Sequence, residues 1–124
     1  MNKTKILVSI LSYGGGNNKF EVENLHGRGY RNQDRFLVQV LNNYNNWDTD
    51  KYDITLRIYC TTAEYDVSEF KDIKIDQEVY DETIHVLLCW QHRDWFIENK
   101  DNYDYFIFNE NDIMISQKSF ETYQ

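Results

Sequence analysis

Proline is absent from the 124-residue chain, glycine occurs five times and cysteine twice, whereas asparagine occurs thirteen times. The asparagine excess with no proline points to AT-rich coding, a property of the source rather than of the function. Cys60 and Cys89 lack the close CxxC pairing of zinc ribbons and dithiol redox motifs, which sets both classes aside. With no secretory signal, both thiols are expected to be reduced and buried. Cations are scarce as well: 13 Lys and Arg stand against 21 Asp and Glu, a formal charge of −8. Such a surface repels phosphate backbones, so no nucleic-acid partner is expected. An anionic ligand would need a divalent cation or a local arginine to bridge it. Long hydrophobic runs are missing. None approaches the roughly 18 apolar residues of a membrane span, and the mean hydropathy is −0.73. The basic start, Met1 to Lys5, is followed only by Ile6 to Leu11 with a serine inside, too short and too strand-like for a signal peptide. The chain is therefore expected to be cytoplasmic.

What is abundant is aromatic: 10 Tyr, 7 Phe and 3 Trp, within a hydrophobic fraction of 41%. That composition excludes a disordered chain. The length fits one small domain with one core. No repeat or low-complexity linker divides it.

Lys5 to Ser12 is almost continuously apolar, the pattern of a central strand covered on both faces. It runs into Gly14-Gly15-Gly16, which accept either sign of backbone angle. A helix is expected from about Tyr30, with Phe36, Leu37, Val40, Leu41, Tyr44 and Trp47 at helical spacing and Asn42 to Asn46 fraying its end. Tyr52 to Tyr59 reads as a second strand with Ile54, Leu56 and Ile58 on one face. A short helix is expected over Ala63 to Phe70, and a weak strand over Asp72 to Ile75. A longer helix is expected over His85 to Lys100, with Trp90, Phe96 and Ile97 as core contacts. A fourth strand runs from Asp104 to Phe108. Alternating strands and helices predict an α/β, Rossmann-like, mostly parallel sheet with right-handed crossovers and helices on both faces. Ligands of such sheets sit at the strand carboxyl ends, here the loops Tyr13–Asn18, Cys60–Thr62 and Asn109–Asp112.

Three segments could carry chemistry. The loop Tyr13 to Asn18 could let a nucleotide approach the backbone closely, but it is neither GxGxxG nor a P-loop, and a plain turn fits it as well. Asn109-Glu110-Asn111-Asp112 puts two carboxylates, separated by one residue, after a strand. Hard cations such as Mg²⁺ or Mn²⁺ take such oxygens together with substrate phosphates; the alternative is a solvated acidic turn. Cys89 to Trp95 carries His92 and Arg93. Arg93 can hold a phosphate through two parallel hydrogen bonds or form a surface ion pair with Asp94 or Glu98. Arg28 and Arg31 could face an anion too, while His85 reads as structural.

In their order, Lys5 to Gly14, Tyr52 to Thr62, Leu88 to Arg93 and Tyr103 to Ile115 resemble the nucleotide-sugar-binding half of a GT-A-type glycosyltransferase, over roughly Ile6 to Ser116. The most specific part is Trp-x-His-Arg, followed by a helix and a strand ending in a DxD-like motif. The resemblance implies a nucleoside diphosphate sugar as donor and Mn²⁺ or Mg²⁺ as cofactor. Ser12, Tyr13, Gly14, Thr61 and Thr62 would flank base and ribose. Glu110 and Asp112 would hold the metal, and Arg93 would meet the diphosphate charge. The motif departs from the family pattern in reading Glu-Asn-Asp, with a neutral centre. Twelve residues follow Asp112, so a single donor-binding domain without the acceptor-binding half is expected. A homodimer or partner chain is expected to cover what that half would have covered. The alternative is a non-catalytic nucleotide-sugar-binding or interaction domain. A receiver-like metal domain is disfavoured because no nucleophilic Asp follows the first strand.

Overall fold

A computed structural model of the chain describes residues 3–12, 32–61, 67–81, 90–110 and 114–122, together with Tyr65, Ile84, Leu87 and Leu88. Strand β1 spans Thr4–Ser12, helix α1 Asn32–Asn45, β2 Tyr52–Thr61, β3 Lys74–Tyr80, helix α2 His92–Glu98, β4 Tyr105–Glu110 and helix α3 Gln117–Thr122. All the strand pairings are parallel, in the order β3-β2-β1-β4. The chain thus has the α/β, Rossmann-like architecture that its alternating pattern implies.

β1 is central because its sequence leaves it no other place. Ile6, Leu7, Val8, Ser9 and Ile10 are all fully buried. A strand buried on both faces needs a neighbour on both edges to satisfy its peptide groups. β2 supplies one edge, from Thr4 opposite Tyr52 to Ser12 opposite Cys60. β4 supplies the other, from Ile6 opposite Tyr105 to Leu11 opposite Glu110.

Because side chains alternate, register divides the sheet into two faces. Ile6, Val8 and Ile10 share a face with Ile54, Leu56 and Ile58, and α1 covers it. Leu37, Val40, Leu41 and Tyr44 form its buried stripe at 3.6-residue spacing. Each buried aliphatic side chain contributes about 1.5–3 kcal/mol relative to exposure. Trp47, just past the helix, closes this core at the sheet's lower end. Its ring lies 5.5 Å from that of Tyr52 and 5.4 Å from that of Phe120 on α3. α3 is tied there by the Tyr52 hydroxyl, which donates to Glu121 at 2.6 Å.

The opposite face carries Arg57 and Tyr59 of β2 and Phe106 and Phe108 of β4. α2 packs on it: His92 stacks on Phe108 with centroids 4.3 Å apart, Phe96 meets Phe106 at 5.3 Å, and Trp95 lies under the Arg57 guanidinium at 4.4 Å. The seven residues of α2 cover this face thinly, and Phe106 and Phe108 stay exposed.

Several sequence expectations need correction. α1 runs on through Asn45, because Leu41 and Tyr44 are buried and hold the last turn that the asparagines were expected to fray. The third strand begins at Lys74 and reaches Tyr80, since alternate residues Ile75 and Gln77 meet the core while Asp76 and Glu78 pair with Arg57. The helix expected from His85 starts only at His92, preceded by short 3₁₀ turns. Trp90 and Ile97 are 55% and 64% exposed rather than core contacts, because α2 turns only His92, Trp95 and Phe96 toward the sheet. The described residues of 63–70 form turns and no helix. Cys60 is buried, its thiol 3.7 Å from the Glu78 carbonyl oxygen. Cys89 lies outside the described residues. Among them, no helix is long and apolar enough to cross a membrane.

Core packing sets a clear contrast. Leu41→Ala should lower the unfolding free energy by about 2–5 kcal/mol, whereas Ile97→Ala should change it by less than about 0.5 kcal/mol. Urea denaturation of the two variants checks both values.

Candidate functional site

The strand order reverses beside β1: β2 and β3 lie to one side and β4 returns to the other. In open parallel sheets this switch point leaves a crevice at the carboxyl ends of the strands, where the crossovers part. Ser12 ends β1, Thr61 ends β2 and Glu110 ends β4. Register holds the three on one edge, with Glu110 opposite Leu11 and Ser12 opposite Cys60. α2 starts near Phe108 and descends toward Phe106, so its first turn, which carries Arg93, rises at the same edge.

These residues differ in what they offer there. Glu110 is exposed and shares a face with Phe108, the side on which α2 packs. Ser12 points to the α1 side and is fully buried, its hydroxyl 2.9 Å from the Tyr65 hydroxyl. Its side chain therefore serves the core, and its backbone is what it can turn to a ligand. Arg93 is exposed, with its guanidinium 4.6 Å above the Trp90 ring. The ion pair with Asp94 or Glu98 does not form; the aromatic face orients the cation and leaves its hydrogen-bond donors to solvent. Tyr13, Gly14, Thr62 and Asp112 lie outside the described residues, as do Arg28, Arg31 and His85. Among the described residues, no cluster of three or more His, Cys, Asp or Glu side chains could hold a metal.

Two features of this edge escaped sequence reasoning. Asn109, one residue before Glu110, is buried and turned to the α1 side. The Tyr44 hydroxyl donates to its Oδ1 at 2.6 Å, and its Nδ2 donates to the Glu110 carbonyl at 2.5 Å. Helix α1 thereby grips the point where the chain leaves β4. Tyr65 is held likewise: its peptide N–H donates to Gln77 Oε1 at 2.7 Å, and Gln77 Nε2 donates back to its carbonyl at 2.8 Å. The only available signal was a tyrosine on an apolar helix stripe and an asparagine in an acidic turn, each of which has a simpler reading.

Burial marks two phenols near this region. It raises the Tyr44 hydroxyl well above its ordinary value of 10. It pushes Tyr59 up to about 12, opposed in part by Arg57. At the other end of the sheet a polar cleft of about 460 Å³ is lined by Lys5, Asp53, Lys74 and the 99–103 loop. Its two lysines face two aspartates, Asp53 and Asp101, so it concentrates no charge of one sign.

No family model, curated protein or solved structure matches the chain.

The tyrosines give a signed pH dependence. Their folded values lie above 10, so the stability gained by keeping them neutral is complete below pH 10. It drains away as pH rises further, because the unfolded phenols ionise first. The urea midpoint should therefore fall as pH rises from about 10 toward about 12, and fall less in Tyr44→Phe. At neutral pH that variant should be less stable by about 1–3 kcal/mol, since it removes the buried hydrogen bond from the Tyr44 hydroxyl to Asn109.

Proposed function

We propose that the chain is a nucleoside-diphosphate-sugar-binding domain of glycosyltransferase type, with its donor site at the carboxyl edge of β1, β2 and β4. The observation that supports this reading is the strand order. It sets the acidic end of β4 directly beside the end of β1, at the crevice where open parallel sheets bind nucleotides. Glu110 is exposed there, and Arg93 stands on the neighbouring helix turn with its donors unspent.

The donor set fits a hard cation. Two carboxylates, Glu110 and Asp112, would leave coordination positions for phosphate oxygens, as Mn²⁺ and Mg²⁺ sites with phosphate substrates require. When bound, the metal would neutralise charge on the departing nucleoside diphosphate. The chain's own side chains do the rest. Arg93 would meet the diphosphate, the backbone after Ser12 would flank the base, and the Tyr44–Asn109 hydrogen bond would hold the exit of β4 in place.

A second reading rests on a specific observation: the Ser12 side chain is committed to the core. The same crevice would then serve a non-catalytic nucleotide-sugar-binding domain. Transfer or hydrolysis of a nucleotide sugar by the purified chain with Mn²⁺ separates the two.

Self-association belongs to the proposal. β4 has no strand on its outer edge among the described residues, and it exposes Tyr105, Phe106 and Phe108. An exposed aromatic stretch ahead of Glu110, on a chain of charge −8, favours pairing with a partner.

Metal and nucleotide should bind cooperatively, because each completes the other's surroundings. Calorimetric titration of UDP and GDP should show Mn²⁺-dependent binding that Asp112→Asn abolishes while folding persists. Equal affinities with and without Mn²⁺ and Asp112, or no binding at all, would reduce Glu110 and Asp112 to a solvated turn. Light scattering at high protein concentration should give a mass above 15.1 kDa; a strictly monomeric mass would contradict self-association.

A further inference from the structure

Gln39, Asn42, Asn43 and Asn46 follow one another at spacings of three, one and three residues, which places them on one face of α1 and its last turn. They line a groove of about 330 Å³ that Trp47, Met114 and Gln117 complete. We propose that this groove binds a neutral, hydroxyl-rich ligand, specifically a short oligosaccharide.

Asparagine is abundant along the whole chain, so its presence alone decides nothing. The wall as a whole is what distinguishes the groove. Of the seven described residues that line it, five are carboxamides and none is charged, in a chain where 27% of residues are. Exposed helix positions are ordinarily filled by Glu, Lys or Ala, and asparagine in a helix costs a few tenths of a kcal/mol relative to them.

Two of the amides are fixed in place. Asn43 Nδ2 donates to the Ile115 carbonyl at 2.6 Å, and Gln117 Oε1 accepts from the Asp48 backbone N–H at 2.7 Å. These bonds tie the 114–117 segment to α1 and set the two walls. Gln39, Asn42 and Asn46 are exposed and bond their side chains to no other described residue. Each keeps two donors and an acceptor. A separate observation comes from the groove's floor. Trp47 is 4% exposed, and its indole Nε1 is buried with no acceptor among the described residues. Buried donors are normally satisfied, and a ligand that uncovers this ring edge would give the indole N–H an acceptor.

The chemistry selects the ligand class. A carboxamide donates and accepts at once, as a sugar hydroxyl does, so rows of amides match rows of hydroxyls. Among the described residues of the wall an anion would find no cation, and a cation no carboxylate. Met114, which is exposed, adds apolar surface for the C–H faces of a sugar ring. A neutral peptide backbone offers similar polar groups, but among the described residues no strand lines the groove to pair with it. The groove lies along the C-terminal half of α1, apart from the Glu110 edge, and does not depend on the nucleotide-sugar reading.

The test uses the full chain labelled with ¹⁵N and titrated separately with maltotriose, cellotriose, chitotriose and a neutral tetrapeptide. At least one trisaccharide should shift the side-chain amide signals of Asn42, Asn43 and Asn46 and the Trp47 indole signal in a saturable way. Both Asn42 and Asn46 are exposed, so replacing the two with alanine should keep the melting temperature while weakening that binding at least about fivefold. No shift with any trisaccharide, shifts with the peptide alone, or binding unchanged in the double variant would each overturn the proposal.

Discussion

Everything in this domain is arranged around the burial of β1. Five consecutive residues, Ile6 to Ile10, have no exposed surface. Their peptide groups can be satisfied only by strands on both edges, and their side chains only by cover on both faces. β2 takes one edge and β4 the other, which makes the sheet reverse its order beside β1. The switch point at the carboxyl edge is thus a by-product of burying one hydrophobic strand. An acidic strand end and an arginine-bearing helix turn are delivered to that edge by the same constraint.

The two faces of the sheet are unequal. α1 buries a full stripe, and the aromatic group of Trp47, Tyr52, Tyr105 and Phe120 closes the lower end. The other face rests on seven residues of α2 and on Arg57, which is held between Trp95 and the carboxylates of Asp76 and Glu78. The side chain of Arg57 is 21% exposed and those of its two partners about half, so these ion pairs contribute little beyond orientation. Apolar area explains the difference: α1 brings Leu37, Val40, Leu41 and Tyr44 to the core, while no residue of α2 is fully buried. The weaker face is also the one to which Glu110 belongs. The point where β4 ends is steadied from the other side, by Tyr44 reaching Asn109.

The fold was legible because its signals are periodic. An apolar run without alternation marked β1, and Ile54, Leu56 and Ile58 marked the buried face of β2. The stripe from Leu37 to Trp47 marked α1. Elements whose contacts are long-range were read less well. β3 looks weak in isolation because Asp76 and Glu78 acquire their meaning from Arg57, nineteen and twenty-one positions away. Trp90 and Ile97 look like core by composition, yet the α2 face reaching the sheet is set by where Phe106 and Phe108 stand. At the candidate site, the edge positions of Ser12, Thr61 and Glu110 follow from strand ends that the pattern reveals. The commitment of the Ser12 side chain does not, since its partner Tyr65 lies beyond the next strand and is placed there by Gln77. Asn109 was hidden for the same reason: nothing local distinguishes a buried asparagine from a turn asparagine.

The central claim is that the carboxyl edge of β1, β2 and β4 is where ligand binds. Amide hydrogen exchange of the chain with and without UDP and Mn²⁺ tests it most directly. The account predicts slowed exchange at Ser12, Thr61 and Glu110 and at the residues just after them, with the 99–103 loop at the other end of the sheet unchanged. Protection confined to that opposite end, or exchange unaltered throughout the chain, would contradict it.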